Sequence, residues 1–444
     1  MSQQEAPPVS YEQFEFKGTL TPFEGLRIHM YKHKKSGLEV LLLPQAGTGS
    51  IGYVTAYNVG SRFEVKGRTG IAHLFEHMMF RGTESFPEPF KTLSSWGDKF
   101  NAYTSFDLTL YHEMVPKEKF DDVAKFESER MRKLLITRDG FNTERGAVVS
   151  ERKMRTEDSP FGRLFWELYQ VAYDDHPYKT GPIGWQEDLD ATTYEDALDF
   201  YNRFYAPNRA TLALAGDFTV PEALKVLNKH YGHFVAQPWV DPVVPQEKVR
   251  KDVRRKVIPM KAESVFLADT TFGPRYNDKW VAAESILCTL LADSTHGFLV
   301  GELVEKGIAR SVSGTCSPSM DPGLSGVFVV GNPGVSVDKL EKALDKAKKG
   351  FTKWVTAERV EQMKLYYLAS QYASMRDPVD LAEDIARSAV TAGDPLYSFA
   401  FLEKAKQVTL DDVKNRFAEW NKGARTRLII EPSDKTAPMT RPKK

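Results

Sequence analysis

The sequence predicts an α+β fold of two homologous sandwich domains, each a sheet with helices packed on it. Three observations carry this expectation. A repeat about half the chain long runs through the sequence, and a proline-rich stretch without periodicity separates its copies. Each copy mixes strand-like apolar runs with long helices.

Each element follows from local pattern. In the first copy, Ile51–Val59 is an apolar strand that precedes a helix at Gly70–Phe80, and Leu108–Val115 is a strand leading into the helix Lys119–Leu135. In the second, Ser264–Thr271 precedes a helix at Trp280–Ala292. Gly326–Val330 then leads, after Gly331-Asn-Pro-Gly334, into the helix Val337–Phe351. The copies also end alike. Asp190-Ala-Thr-Thr-Tyr-Glu-Asp and Val408-Thr-Leu-Asp-Asp each read as a threonine cap with acidic first-turn residues. An apolar strand follows each helix, Arg209-Ala-Thr-Leu-Ala-Leu-Ala-Gly-Asp217 in one copy and Arg425-Thr-Arg-Leu-Ile-Ile-Glu-Pro432 in the other. Between the copies, Val235-Ala-Gln-Pro-Trp-Val-Asp-Pro-Val-Val-Pro-Gln reads as an extended linker. The domains are therefore placed at 1–234 and 250–444 with 235–249 as linker, and two related halves imply a pseudo-symmetric body around a cleft or chamber.

Composition narrows the function classes. With 444 residues, 41% hydrophobic and 27% charged, the chain reads as a soluble globular protein of two to three domains. Basic and acidic residues number 60 each, so no global field favours nucleic acid. The basic run Arg250–Lys256 reads as a solvated linker edge and Arg441–Lys444 as a frayed end. No run approaches the roughly 18 apolar residues of a membrane span. The start, Met-Ser-Gln-Gln-Glu-Ala-Pro-Pro, shows no apolar leader, which leaves the compartment open between cytoplasm and periplasm. The two cysteines, Cys288 and Cys316, are too few for a disulfide framework and read as small buried hydrophobes, with a bridge between them left open.

The chemistry concentrates in His73-Leu-Phe-Glu-His77. On a helix His73 and His77 share a face one turn apart, with Glu76 beside them. Two imidazoles at that spacing can hold a zinc ion, which in a catalytic site takes three protein ligands and keeps a fourth position open. Glu76 is then the general base. The order H-x-x-E-H is the inverzincin signature. A third ligand is offered by the helical segment Thr143–Met154, whose expected buried stripe is Glu144, Ala147, Val148, Glu151 and Met154. Two carboxylates on an otherwise apolar stripe call for a cation: one as ligand, the other holding a histidine N–H. The competing reading is an exposed face paired with Arg145, Arg152 and Arg155. Between these motifs, Gly97–Tyr111 alternates as a strand, whose edge can accept a peptide through backbone hydrogen bonds, with Asn101 as anchor.

Taken together, His73-x-x-Glu-His77, Phe80-Arg-Gly-Thr83, Asn101-Ala-Tyr-Thr104, Glu144-Arg-x-x-Val-Val-x-Glu151, Gly181-Pro-Ile-Gly184 and Tyr205-Ala-Pro-Asn208 resemble the pitrilysin superfamily, which includes insulin-degrading enzyme and mitochondrial processing peptidase. The resemblance covers nearly the whole chain, and its length looks like the two-subunit processing-peptidase branch. It implies one zinc per chain held by His73, His77 and Glu151, Glu76 as base, Glu144 in support, and a substrate strand at Asn101 and Ala102. It also implies two α/β domains per chain and two chains closing as a clamshell around a peptide.

One departure stands out. The family pattern Leu-Arg-Glu-Lys-Arg-Gly-Leu-Ala-Tyr-Ser-Val brings an arginine and a tyrosine to the substrate carbonyl. Here the matching stretch is Leu303-Val-Glu-Lys-Gly-Ile-Ala-Arg-Ser-Val312, with Val304 and Arg310 in those places. The second-half counterpart of the zinc helix, Val281–Leu291, has no histidine. The expectation is a heterodimer whose homologous partner supplies the missing pair; a homodimer in which Arg310 replaces it is the alternative. Three functions compete: a zinc-dependent endopeptidase, a non-catalytic core or scaffold subunit of the same fold, and a zinc hydrolase of non-peptide substrates.

Overall fold

The computed structural model describes residues 9–248 and 250–441. The first eight residues, read above for an apolar leader, and the last three residues of the basic tail lie outside the described residues.

Chain order is as follows. Strands β1 (Phe14–Phe23), β2 (Leu26–His33), β3 (Glu39–Pro44) and β4 (Ser50–Tyr57) precede helices α1 (Ile71–Met78) and α2 (Pro89–Trp96). Strands β5 (Phe100–Thr104) and β6 (Thr109–Pro116) lead to α3 (Phe120–Arg132), α4 (Arg138–Arg152), α5 (Pro160–Ala172), α6 (Gln186–Ala191) and α7 (Tyr194–Phe204), then β7 (Ala210–Gly216) and α8 (Val220–Tyr231). After the irregular linker come β8 (Val253–Met260), β9 (Phe266–Phe272), α9 (Val281–Ala292), β10 (Ala309–Thr315) and β11 (Leu324–Gly331). The chain closes with α10 (Val337–Trp354), α11 (Ala357–Ser374), α12 (Pro378–Ala392), α13 (Tyr397–Lys406), α14 (Leu410–Lys422) and β12 (Arg425–Pro432).

Two mixed sheets bear out the α+β expectation. The first has the order β1-β2-β3-β7-β4-β6-β5, the second β10-β11-β9-β12-β8. From β3 to β5 the first sheet repeats the second strand for strand, read from β8 to β10. Even the pairing senses agree: β3 is parallel to β7 as β8 is to β12, and the remaining matched neighbours are antiparallel. The threonine caps match too. Thr193 and Thr409 each form a capping box with the aspartate three residues on.

Two compact units result, and neither is contiguous in sequence. The first takes Met1–Val148, Pro182–Val243 and Tyr372–Ala400, the second Val149–Gly181, Val244–Gln371 and Phe401–Lys444. Residue 148 lies inside α4, which is one continuous helix. In the first unit, β4 and β7 are buried almost throughout, as central strands must be. Their apolar face, with Leu41, Val54 and Ala213, is closed by Val379, Ala382 and Ile385 of α12. The helix comes so near that a Cβ on Gly52 would lie 2.6 Å from the Val379 backbone. In the second unit α5 covers β9 and β12 in the same way, with Tyr173 just beyond it edge-on to Phe272. So α5 and α12, equivalent in the repeat, each serve the sheet of the other half.

Two readings change. Arg250–Lys256 is not a solvated linker edge but opens the charged edge strand β8. Arg254 pairs with Asp174, Arg255 with Glu341 and Lys256 with Glu167. Cys288 on α9 and Cys316 just past β10 are joined in a disulfide, Cα–Cα 6.2 Å. Cys288 lies so close beneath β10 that a side chain at Gly314 would strike its sulfur. Among the described residues no helix is long and apolar enough to cross a membrane.

Candidate metal centre

The site is built on α1 and α4. α1 starts at Gly70, whose φ of +88° is in the left-handed region, and a Cβ there would meet the Ile183 carbonyl at 2.8 Å. Two carboxylates fix this entry. Glu64 accepts the backbone N–H groups of Gly70 and Ala72, both at 2.9 Å, and Asp188 accepts the Thr69 hydroxyl at 2.6 Å. Glu64 thus satisfies two of the amides a helix N-terminus leaves open. Enclosure pushes its pKa up to about 8, against the lowering effect of those two bonds.

Within α1, Leu74 and Phe75 are fully buried, and Phe75 stacks on Tyr201 of α7. That packing turns His73, Glu76 and His77 toward the other side. The two imidazoles meet edge to face with centroids 4.9 Å apart. Donor atoms of His73, His77 and Glu151 all lie within 4.8 Å of one another. Around a tetrahedral zinc such atoms are roughly 3.4 Å apart, so side-chain rotation of about 1 Å closes the set. Two nitrogen donors and one carboxylate are the donor chemistry zinc takes in hydrolytic sites, and the residues present fit it.

Glu144 lies 3.5 Å from His77 Nδ1 through one oxygen, while the other accepts Arg81 at 3.1 Å. A carboxylate at Nδ1 leaves Nε2 of His77 as the metal donor. Burial raises the Glu144 pKa, but the contacts with His77 and Arg81 outweigh it and the net shift is downward. Glu151 is also met by Arg155 at 2.8 Å. The arginine pairing weighed from the sequence therefore exists alongside the metal cluster. Arg145 and Arg152 go elsewhere, to the Thr192 carbonyl and to Glu157.

The stripe on α4 is narrower than expected. Ala147 and Met154 are exposed; the buried positions are Gly140, Phe141, Val148 and Arg152, and Glu144 and Glu151 flank them half-buried. Met154 turns outward because α4 passes at Arg152 into a wider π turn, Lys153–Glu157.

Gly97–Tyr111, expected as one strand, holds β5 and the start of β6. β5 forms the outer edge of the first sheet and carries Asn101, exposed, and Ala102, buried. The Asn101 side chain accepts its neighbour's amide, Ala102 N, at 2.9 Å. At the end of β5, the Thr104 hydroxyl donates to Glu76 at 2.6 Å. Thr104 and Arg81 stood inside motifs already singled out; Glu64 carried no signal, since no pattern ties it to a helix six residues away. In the second half, Val304 is half-buried at the end of a π turn, and Arg310 is exposed on β10 with no ion pair among the described residues.

A mixed-sheet repeat with two histidines and a glutamate gathered as a possible metal site can be set beside known proteins. Residues 53–182 match the family described as Insulinase (Peptidase family M16), and residues 191–366 the Peptidase M16 inactive domain. The chain is 30% identical to the zinc protease PqqE of Helicobacter pylori over 361 residues, 78% of this chain and 80% of that one. It is 23% identical to the probable mitochondrial-processing peptidase subunit beta of Schizosaccharomyces pombe, over 87% of this chain and 88% of that one. The crystal structure of a protease from Helicobacter pylori superposes with a TM-score of 0.87 at 26% identity, covering 91% of this chain and 99% of its own. The chain belongs to peptidase family M16.

Proposed function

We propose that this chain is a zinc-dependent endopeptidase subunit that hydrolyses peptides added as a strand to β5. The observation that carries the reading is the meeting of His73, His77 and Glu151 on α1 and α4 with Glu76 alongside. Zinc held by these three residues would act as a Lewis acid toward the scissile carbonyl and lower the pKa of water toward about 7. Glu76 takes the proton of the attacking water and passes it to the leaving amine. Glu144 holds the His77 ring by Nδ1, and Arg81 holds Glu144. The open edge of β5 pairs with substrate backbone. Asn101, now capping Ala102 N, releases that amide to the peptide and anchors it.

The oxyanion side is thin in this chain, because Val304 and Arg310 replace the arginine and tyrosine of the family pattern. We infer a heterodimer with a homologous partner that supplies them around a closed chamber; the relative from Schizosaccharomyces pombe is itself named a subunit. A second reading, a non-catalytic scaffold, draws support from the inactive-domain match over 191–366. That match contains none of His73, Glu76, His77 and Glu151, so the peptidase reading is preferred.

The test is direct. Elemental analysis of the purified chain should return about one zinc, and Glu76→Gln should keep it while turnover falls by about a thousandfold. Full zinc with no peptidase activity, alone or with a homologous partner, favours the scaffold.

A further inference from the structure

We infer that Thr104 is a positioning residue: it aims the Glu76 carboxylate, and it joins the substrate strand to the base. The inference rests on the reading of Glu76 as general base.

The geometry is specific. Thr104 Oγ1 lies 2.6 Å from Glu76 Oε2, and a carboxylate only accepts, so the hydroxyl proton points at Glu76. Behind it lies the Thr109 hydroxyl, 3.3 Å from the Thr104 oxygen, itself anchored by donating its one proton to the Val59 carbonyl at 2.9 Å. Thr109 is fully buried and faces Thr104 in the β5–β6 register, so the donor is backed by a fixed wall. The Oε2 oxygen of Glu76 is thereby held in place.

Thr104 also ends the five-residue strand whose outer edge carries Asn101 and Ala102. Among the described residues β5 has a single neighbour, β6, and short edge strands are the part of a sheet that frays most readily. A peptide pairing along it gives β5 a second neighbour. Strand addition then steadies Thr104, and through it the base, three residues from the Asn101 anchor. Bound substrate thus sharpens the catalytic geometry that acts on it.

Thr104→Val keeps the shape of the side chain and removes the donor; Thr104→Ser restores the donor. The expected result for Thr104→Val is a kcat lower by about tenfold with KM within about twofold, the loss of one oriented hydrogen bond. Zinc content and melting temperature should match the parent, and Thr104→Ser should recover kcat to within about threefold. A parental kcat in Thr104→Val overturns the inference. So does a loss carried by KM alone, or a loss of zinc in Thr104→Val that Thr104→Ser shares, since either makes the residue merely structural. Glu76→Gln, measured beside them, separates the two readings: if it stays active, the base assignment itself has failed.

Discussion

α1 and α9 occupy the same place in the two halves, each following the equivalent interior strand of its sheet, β4 or β9, yet they use their polar groups oppositely. On α1, Phe75 does the packing against α7, His73 and His77 meet Glu151 of α4, and Glu76 meets Thr104 of β5. On α9 the carboxylate turns inward: Glu284 is fully buried and accepts the Trp420 indole and Arg416 from α14. The partner helices diverge likewise. α4 carries Glu144 and Glu151, whereas α11 turns Met363 inward and leaves Leu365 and Tyr366 exposed. One scaffold supports either a His73, His77 and Glu151 cluster or ordinary packing, and the difference lies in a few side chains rather than in backbone topology.

The sharpest way to break this contrast is His77→Ala. Zinc should be lost and peptidase activity should fall by more than about a thousandfold, by elemental analysis and peptide hydrolysis; retained zinc would put the metal elsewhere. Next in size is a change confined to the second half. Cys316→Ser opens a loop of 28 residues and should lower stability by about 3–4 kcal/mol in denaturant titration, with zinc content untouched. Smaller again, Glu144→Gln should weaken zinc binding by about 10- to 100-fold while leaving the fold intact, as read by competition with a chelator.

The smallest expected effect is on pH, and its sign differs between the units. Asp269 is buried among Lys348, Arg425 and Arg427, which together hold its carboxyl far below the usual range despite burial. A depressed acid contributes stability above its unfolded pKa, so this contribution disappears as pH falls below about 4. Glu64 is the reverse case. Its raised pKa gives stability below about 4.5 that is lost as pH rises toward about 8. Melting followed against pH should therefore show Asp269→Asn flattening the acid limb and Glu64→Gln flattening the decline between pH 5 and 8. Parallel curves for the parent and both variants would remove these two groups as causes.

Much of this was legible from residue order. His73 and His77 share a helical face whatever surrounds them, and two glutamates seven residues apart on one helix point the same way. The strand runs around Ile51, Leu108 and Ser264 are apolar enough to admit little else. What escaped depends on distant partners. The outward turn of Met154 follows from a π turn that no periodicity announces. The basic run at Arg250 gains its ion pairs from Asp174, Glu341 and Glu167, far off in sequence. The Cys288–Cys316 bridge needs a tertiary distance. The placing of α12 beneath β4 could not be read from its own amphipathic pattern, which requires an apolar surface but not which one.

That placing has a consequence for synthesis and for fragments. On the ribosome, β3, β4, β6 and β7 emerge long before α12, the helix that shields their apolar face. The first half cannot complete its core while it is being made, and must hold an exposed greasy surface until Pro378–Ala392 arrives. A piece cut at the linker would keep His73, His77 and Glu151 and still be expected to aggregate, because its cover lies in the discarded part.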